Sequence, residues 1–463
     1  MRITGISVRE LFGVFDHIIP LNLEDRVTII HGPNGFGKTI LLKMLHGLFR
    51  GRYAELRNIP FVEFRVTFDN GSAVWVQKVP KAVATQSVLP EINNRTDREL
   101  RAAAEPPAVP TLFFQGADSS DPKSFELSEA MEDTDIPRHR LVSALDHFVP
   151  DAERVRPGRW LCRSTGEILS LAEALERFGH LLPFEILRQP DWWTDIRESI
   201  NVRLVEADRL VTIRESDRQA GVTQRVTAVE EYSAELAQTI QRKLAESAAL
   251  SQSLDRTFPV RLVEQLERSE LSELSEAQLR SKLDDLEQKR SRLEEVGLLD
   301  REEGMAFLPP SQLSGSTKNV LEVYVEDIEK KLSIFDEIAD KIELFKQIIT
   351  DRFSYKQVAI SKEDGFSFKT MDGRPLRLAA LSSGEQHELV LLYQLLFRTK
   401  ENSLILIDEP ELSLHVAWQK QILRDLQRIA ELASLDVLIA THSPQIIENR
   451  WDLTIELKGP GSS

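Results

Sequence analysis

Residues 31–39 read HGPNGFGKT, and no other stretch of the chain restricts its fold as tightly. The segment before it, RVTIIH, carries Val27, Ile29 and Ile30 in an apolar strand pattern. The segment after it, TILLKMLHGLF, repeats Leu41, Leu42, Leu45, Leu48 and Phe49 at helical spacing. Strand, glycine loop and helix in that order meet the pattern G-x-x-x-x-G-K-[ST] in full, through Gly32, Pro33, Asn34, Gly35, Phe36, Gly37, Lys38 and Thr39. Glycines let successive backbone N–H groups turn onto phosphate oxygens, and the helix N-terminus adds a favourable dipole. The pattern assigns Lys38 to the β- and γ-phosphates of ATP and the Thr39 hydroxyl to Mg²⁺. The plain alternative, a loop rich in glycine by chance, loses its ground once strand and helix flank it.

A cradle alone binds nucleotide; hydrolysis needs a second magnesium ligand and a group that orients water. LILIDEP supplies both, because Leu404 to Ile407 read as a buried strand with Asp408 at its end and Glu409 next. Asp408 is placed for the magnesium shell and Glu409 as general base. LIATHSP puts His442 after another apolar strand, where it donates to the γ-phosphate and senses its loss.

The remaining sequence bounds the architecture. A chain of 463 residues with 41% hydrophobic and 29% charged residues reads as two or three globular domains. It contains no apolar run of about 18 residues to span a membrane and opens without an export pattern. Its single cysteine, Cys162, excludes an internal disulfide and a cysteine-based zinc site within the chain, and a cytoplasmic location is expected. A formal charge of −16 argues against nucleic-acid adhesion over the whole surface. Two arginine clusters, Arg50, Arg52 and Arg57, then Arg154, Arg156, Arg159 and Arg163, leave a local basic face open, with solvated loops as the alternative.

FVEFRVTF alternates apolar Val62, Phe64, Val66 and Phe68 ahead of Asn70-Gly71, which predicts a hairpin. Residues 80–140 turn to Ala, Pro, Ser and acidic types and read as an irregular insertion. Between 318 and 350, Leu321, Val325, Ile328, Leu332, Phe335, Ile338, Ile342, Phe345 and Ile349 form an apolar seam at steps of four and three. Matching pieces at Val229 to Leu244 and Leu279 to Val296 predict antiparallel pairing through a turn near 300–317. Such an arm of 33 residues reaches roughly 50 Å at 1.5 Å per residue; a packed helical subdomain is the alternative. The domain expectation is an N-terminal lobe over 1–215, an arm over 216–354, a C-terminal lobe over 355–458 and a loose tail at 459–463.

LSSGEQHELVLLYQLLF at 381–397 starts a helix after Ser382, Ser383 and Gly384. A small-residue turn at a helix start is an anion site. It is equally an ordinary cap, with Ser383 capping and Gln386 three positions on, and both readings hold together.

The set GPNGFGKT, LSSGEQ, LILIDEPELSLH and ATHSP resembles the ABC-type ATPases of the SMC and RecF group, closely over about 1–80 and 355–457. The resemblance implies an α/β fold: a P-loop ABC ATPase head with an N-terminal β-hairpin lobe, interrupted by an antiparallel coiled-coil or helical insertion. It makes Gly32 to Thr39 the Walker A loop, Ser382, Ser383, Gly384, Glu385 and Gln386 the signature, and Asp408 with Glu409 the Walker B pair. ELSLH at 411–415 becomes the D-loop and His442 the switch histidine. The magnesium-contacting glutamine is assigned to Gln115 in TLFFQGAD, with Gln77 as rival. In such ATPases the signature of one head caps nucleotide held by another, which implies a dimer around two ATP molecules.

The compact arm, acidic composition and lack of an effector domain resemble the ATPase components of antiphage systems of the PARIS and Septu types. That implies a switch controlling a separate effector such as a nuclease. The alternative is a DNA-repair ATPase that clamps duplex DNA through the arginine clusters.

Overall fold

The computed structural model describes residues 1–79, 109–117, 119, 121–127, 137–163, 166–182, 189–205, 211–212, 226–268, 274–300, 315–412 and 416–459. The chain divides into two compact units, Met1–Ala207 with Lys400–Ser463, and Asp208–Thr399.

The first unit holds two sheets with a helix between them. An antiparallel sheet is built from β1 (Ile3–Leu11), β2 (Phe15–Pro20), β4 (Glu63–Phe68), β5 (Ala73–Val79), β6 (Val109–Gln115) and β7 (Lys123–Glu126), in the order β2-β1-β4-β5-β6-β7. The expected hairpin is β4–β5, and its turn uses Gly71 at φ +78°. Two strands, β6 and β7, lie within the span read as irregular. Pro110 and the acidic surroundings masked the period-2 pattern of Leu112 and Phe114, although β6 pairs with β5 over its whole length. Of that span, residues 80–108, 118, 120 and 128–136 lie outside the described residues.

The second sheet is parallel, built from β3 (Val27–His31), β11 (Val202–Val205), β17 (Leu404–Asp408), β18 (Asp436–Thr441) and β19 (Thr454–Glu456), in the order β11-β17-β18-β3-β19. Every residue of β18 is buried, as are Leu404 to Ile407. Both faces of the sheet are covered, so these strands read as continuous apolar runs rather than alternating ones. Helix α1 (Lys38–Arg50) lies between the sheets, with Leu41, Leu45 and Leu48 in one core with Ile6, Phe64, Val76, Leu406 and Leu438. A short α2 (Tyr53–Asn58) follows α1.

A smaller body grows from this unit. It comprises α3 (Arg138–Phe148), the three-stranded sheet of β8 (Ala152–Arg156), β9 (Arg159–Cys162) and β10 (Ile168–Ser170), and α4 (Leu171–Phe178). Its own core gathers Trp160, Cys162, Leu145, Leu169 and Leu175. Helix α5 (Asp191–Ser199) leads into β11.

The second unit carries the helical insertion, with α6 (Ala228–Arg268), α7 (Glu276–Val296), α8 (Gly315–Ser333) and α9 (Asp336–Arg352). After the short pair β12 (Val211–Thr212) and β13 (Val226–Thr227), a sheet of β14 (Lys356–Ser361), β15 (Gly365–Thr370) and β16 (Pro375–Leu376) precedes α10 (Ser383–Phe397). The long seam is interrupted: α8 stops at Ser333 and α9 starts at Asp336, with Phe335 fully buried at the break. Helices α6 and α8 are antiparallel, since Arg261 meets Asp327 at 2.7 Å and Asp255 meets Lys331 at 3.2 Å. Helix α7 runs the other way round. Lys282 faces Glu329, Lys289 faces Asp336 and Arg292 faces Asp340, so the partners rise together and α7 is parallel to α8 and α9. The expected antiparallel pairing of the two segments thus holds for α6 with α8 but not for α7, and the packing is layered, with α8 against both α6 and α7. Heptad spacing marks which face is buried but not which neighbour covers it. Residues 301–314 of that connection lie outside the described residues.

The division falls after Ala207 and after Thr399, which groups α10 with the helical insertion rather than with the strand that ends in Asp408. The last two helices, α11 (Val416–Leu432) and α12 (Pro444–Ile447), flank β18 in the first unit.

Candidate functional site

Three neighbouring parallel strands end together. Register aligns Asp408 of β17 with Ala440 of β18, and Thr441 with His31 of β3. The glycine loop after β3, the Asp408-Glu409 pair and His442 therefore emerge at one edge of the sheet, the carboxyl edge where open α/β sheets bind ligands.

The loop is shaped by its glycines. Gly37 caps α1 in the left-handed region at φ +87°, and a Cβ there would come within 2.5 Å of Leu11 Cδ2. No other residue fits both demands. The first N–H groups of α1 have no acceptor within the helix, as at any helix start, and face the loop.

Lys38 is buried at 5% exposure. Its Nζ donates to the carbonyls of Gly32 at 2.7 Å and Pro33 at 3.1 Å, and lies 3.3 Å from His442 Nδ1. His442 Nε2 is in turn 3.1 Å from Glu409 Oε1. An ammonium only donates, so Nδ1 accepts from Lys38 and Nε2–H points at Glu409. A proton-bearing chain thus links the cradle lysine to the carboxylate beside it. Burial pushes the Lys38 pKa below the usual lysine value, against the pull of Glu409, Asp408 and Glu411. Glu409 has φ +44°, an uncommon conformation for a residue with a side chain. Its N–H donates to Ala440 O at 2.8 Å, tying the turn to β18.

Thr39 Oγ1 donates to Asp408 Oδ1 at 3.1 Å. Burial raises the Asp408 pKa, and the Thr39 hydroxyl opposes the rise. A hydroxyl and a carboxylate in contact beside the glycine loop are the oxygen donors that Mg²⁺ takes, so this donor set fits the ion. No group of three or more His, Cys, Asp or Glu side chains placed for a metal occurs among the described residues.

A family profile described as "AAA domain, putative AbiEii toxin, Type IV TA system" matches residues 170–448, more than half of the chain. The chain belongs to that family. The matched span contains Asp408, Glu409, His442 and the 382–386 segment and begins after the cradle. UvrABC system protein A of Aquifex aeolicus (strain VF5) is 29% identical over 204 residues, which is 43% of this chain and 20% of that protein. The match thus spans about a fifth of that relative's length.

Among solved structures, the Smc head domain of Pyrococcus furiosus, with an extended coiled coil and bound to the C-terminal domain of ScpA, is 14% identical. It aligns over 99% of this chain and 94% of that one at a TM-score of 0.35. The SMC head domain from Thermotoga maritima is 11% identical, over 97% and 92%, at 0.32. Likeness at these scores carries no argument about activity.

In this AAA-domain protein the 382–386 segment lies in the second unit. Ser382, not Ser383, caps α10, and Glu385, not Gln386, closes the capping box. Both pairs have the required spacing. The shift follows from Glu385, whose carboxylate accepts from the Ser382 backbone N–H at 2.8 Å and pairs with Lys356 on β14. Gln386 donates to Leu381 O at 2.9 Å. Glu385 and Gln386 are thus committed within the turn, while Ser383 stands exposed in the first turn beside Gly384.

Gln115 is not brought to the cradle. It pairs with Ala73, whose partner Thr67 pairs with Gly5, and its Nε2 donates to Ser119 O at 3.1 Å. The cradle touches the Leu11 end of β1, six residues or about 20 Å along the strand. Gln77 sits nearer that end but gives its amide to Glu63 at 2.7 Å. Of the D-loop segment, Ser413, Leu414 and His415 lie outside the described residues.

Two arginines of the first cluster are engaged within the protein, and Arg57, like them, is half-buried. Arg50 donates to Val202 O at 2.8 Å and Asn201 Oδ1 at 2.7 Å, and Arg52 meets Glu167 and Glu173 at 3.3 Å each. Arg154, Arg156, Arg159 and Arg163 are exposed on β8, β9 and the residue after it.

Two functional candidates escaped the sequence reading. Glu411 Oε1 accepts from Thr441 Oγ1 and from the His442 backbone N–H, both at 2.8 Å, so it sets the position of His442. Its place after Asp-Glu-Pro was a signal, read only as part of the D-loop. His17, 3% exposed on β2, donates from Nε2 to Phe36 O at 2.9 Å. Nothing in FDHIIP announced it, because β2 itself was not foreseen.

Proposed function

We propose that this chain is an ATP-binding and hydrolysing molecular switch whose heads dimerise around ATP and control a separate effector protein such as a nuclease. The observation that carries the reading is the convergence of Lys38, Thr39, Asp408, Glu409 and His442 at one sheet edge, from segments far apart in sequence. Lys38 and the loop N–H groups hold the phosphates, and Thr39 with Asp408 holds Mg²⁺, which neutralises charge on the transferred group. Glu409 takes a proton from the attacking water. His442 bridges Lys38 and Glu409 and reports whether the γ-phosphate is present.

Ser383 and Gly384, in the exposed first turn of α10, are free to cap nucleotide held by another copy. The family's description, which names a toxin of a Type IV TA system, favours control of an effector in bacterial conflict, and antiphage defence is the setting we assign. The test is MgATP turnover by wild type, Lys38→Ala and Glu409→Gln. We expect Glu409→Gln to keep ATP bound, lose about 10²- to 10⁴-fold in turnover and accumulate as a dimer by light scattering. Unchanged turnover in that variant overturns the base assignment.

A second reading, a clamp on duplex DNA, draws on the four exposed arginines of the β8–β9 hairpin. It requires ATP-stimulated DNA binding that weakens steeply with salt and is lost when those arginines become alanine.

A further inference from the structure

We propose that His17 is a positioning residue for the phosphate cradle: by holding the Phe36 carbonyl outward, its Nε2–H aims the Gly37 N–H at the bound phosphate. This deepens the reading of residues 32–39 as an ATP site and rests on it.

The cradle has a problem that its motif does not solve. Gly32, Gly35 and Gly37 all have positive φ, at +155°, +87° and +87°. Glycine permits these conformations but does not select them, so the peptide planes between them need an outside restraint. A phosphate site requires those planes to present N–H, not C=O, to the anion.

The restraint comes from β1 and β2. Leu11 packs against Gly37, leaving no room for a side chain there. Phe15 packs on the Phe36 ring with centroids 5.2 Å apart. His17 Nε2 then lies 2.9 Å from Phe36 O. A carbonyl oxygen only accepts, so Nε2 bears the hydrogen. Phe36 C=O and Gly37 N–H belong to one planar trans peptide, in which the two bonds point in opposite directions. Fixing the carbonyl on His17 therefore fixes the N–H toward the other side of the loop, where Lys38 and α1 begin.

Burial makes the arrangement persistent. His17 has no bulk solvent to replace the acceptor it would lose, so breaking this bond leaves an unsatisfied buried donor. Burial also lowers the pKa of His17, and the neutral ring keeps a single donor at Nε2.

The test compares MgATP affinity of the full chain by titration calorimetry in wild type, Lys38→Ala, His17→Gln, His17→Asn and His17→Leu. Unfolding midpoints without nucleotide are measured alongside. The glutamine amide reaches about as far as Nε2, whereas the asparagine amide is one methylene short of Phe36 O. We expect His17→Asn and His17→Leu to bind about three- to tenfold more weakly, the fold-change of one lost hydrogen bond, and His17→Gln to stay within about twofold of wild type. His17→Asn should unfold somewhat below His17→Gln, since its buried amide and Phe36 O go unpaired, so affinity is read on folded protein well below both midpoints. A purely structural histidine would move the midpoint and not the affinity. If His17→Leu fails to fold, the Asn and Gln pair decides alone. Equal affinity in that pair, whether retained or lost, overturns the role of His17. Wild-type protein that fails to bind MgATP, or binds it as well with Lys38→Ala, overturns the ATP-site reading itself.

Discussion

At the scale of single residues, the site depends on side chains that hold other side chains. Glu411 touches neither Lys38 nor Glu409 through a hydrogen bond, yet its carboxylate receives Thr441 Oγ1 and the His442 N–H. Glu411→Ala removes both bonds and leaves a polar group at a largely buried strand end, a loss of about 1–3 kcal/mol in stability. Turnover should fall more than ATP affinity, because His442 loses its register against Glu409 while the loop and Lys38 stay in place. Comparing kcat and KM with denaturant unfolding of the same variant checks this. A rise in KM with kcat unchanged would show that Glu411 serves nucleotide binding instead.

At the scale of elements, α1 is anchored at both ends. Its start forms the cradle, and its end meets a buried charge cluster that joins α1 and α2 to the β8–β10 body. Glu167 pairs with Arg177 at 2.6 Å and Arg52 at 3.3 Å, and also faces His46 at 3.5 Å. Burial acts to raise its pKa, but His46 and the two arginines hold it at about 2. Its stabilising contribution is therefore present above about 4.5, the unfolded value, and is lost as pH falls toward 2. Glu167→Gln at pH 7 removes the counter-charge beside the buried Arg177, while Arg52 keeps Glu173, at about 3–5 kcal/mol, read by denaturant unfolding.

Glu55 behaves in the opposite sense. Burial raises its pKa to about 7, so its stabilisation is complete below about 4.5 and is lost as pH rises through 7. Glu55→Gln should therefore raise the unfolding temperature at pH 8 relative to wild type, with the gain disappearing near pH 5. A gain that is the same at both pH values would place the effect elsewhere. The cluster also explains why Arg50 and Arg52 are not a nucleic-acid surface: their charge is spent inside the protein.

At the scale of the whole molecule, two compact units lead us to expect unfolding that is not two-state. Lys38, Thr39, Asp408, Glu409 and His442 all belong to the first unit, and Ser383 and Gly384 to the second. Nucleotide bound by the cradle alone should raise only the first unit's transition, by about 2.7 kcal/mol at a hundredfold excess over Kd. If the signature of another copy caps the nucleotide, ATP in Glu409→Gln should raise both transitions and make them depend on protein concentration. Scanning calorimetry at two protein concentrations separates these outcomes. A single shifted transition in that variant would remove the basis for the capped dimer. Among the described residues no helix is long and apolar enough to cross a membrane.

The sequence by itself determined the cradle, the strand ending in Asp408 and Glu409, and the strand before His442. In each, a buried parallel strand writes its position as an unbroken apolar run, and the chemistry begins where the run stops. It also determined that the insertion is helical, since one buried stripe suffices to impose the period. Tertiary structure alone decided which helix covers which. It parted α8 from α9 at Phe335, turned α7 parallel to them, and drew β6 out of a proline-rich span into a sheet. It also decided the roles of His17 and Glu411. Hydrogen bonds between residues distant in the chain leave no local period, so a buried histidine on an unrecognised strand looked like any other residue until the loop it holds was folded against it.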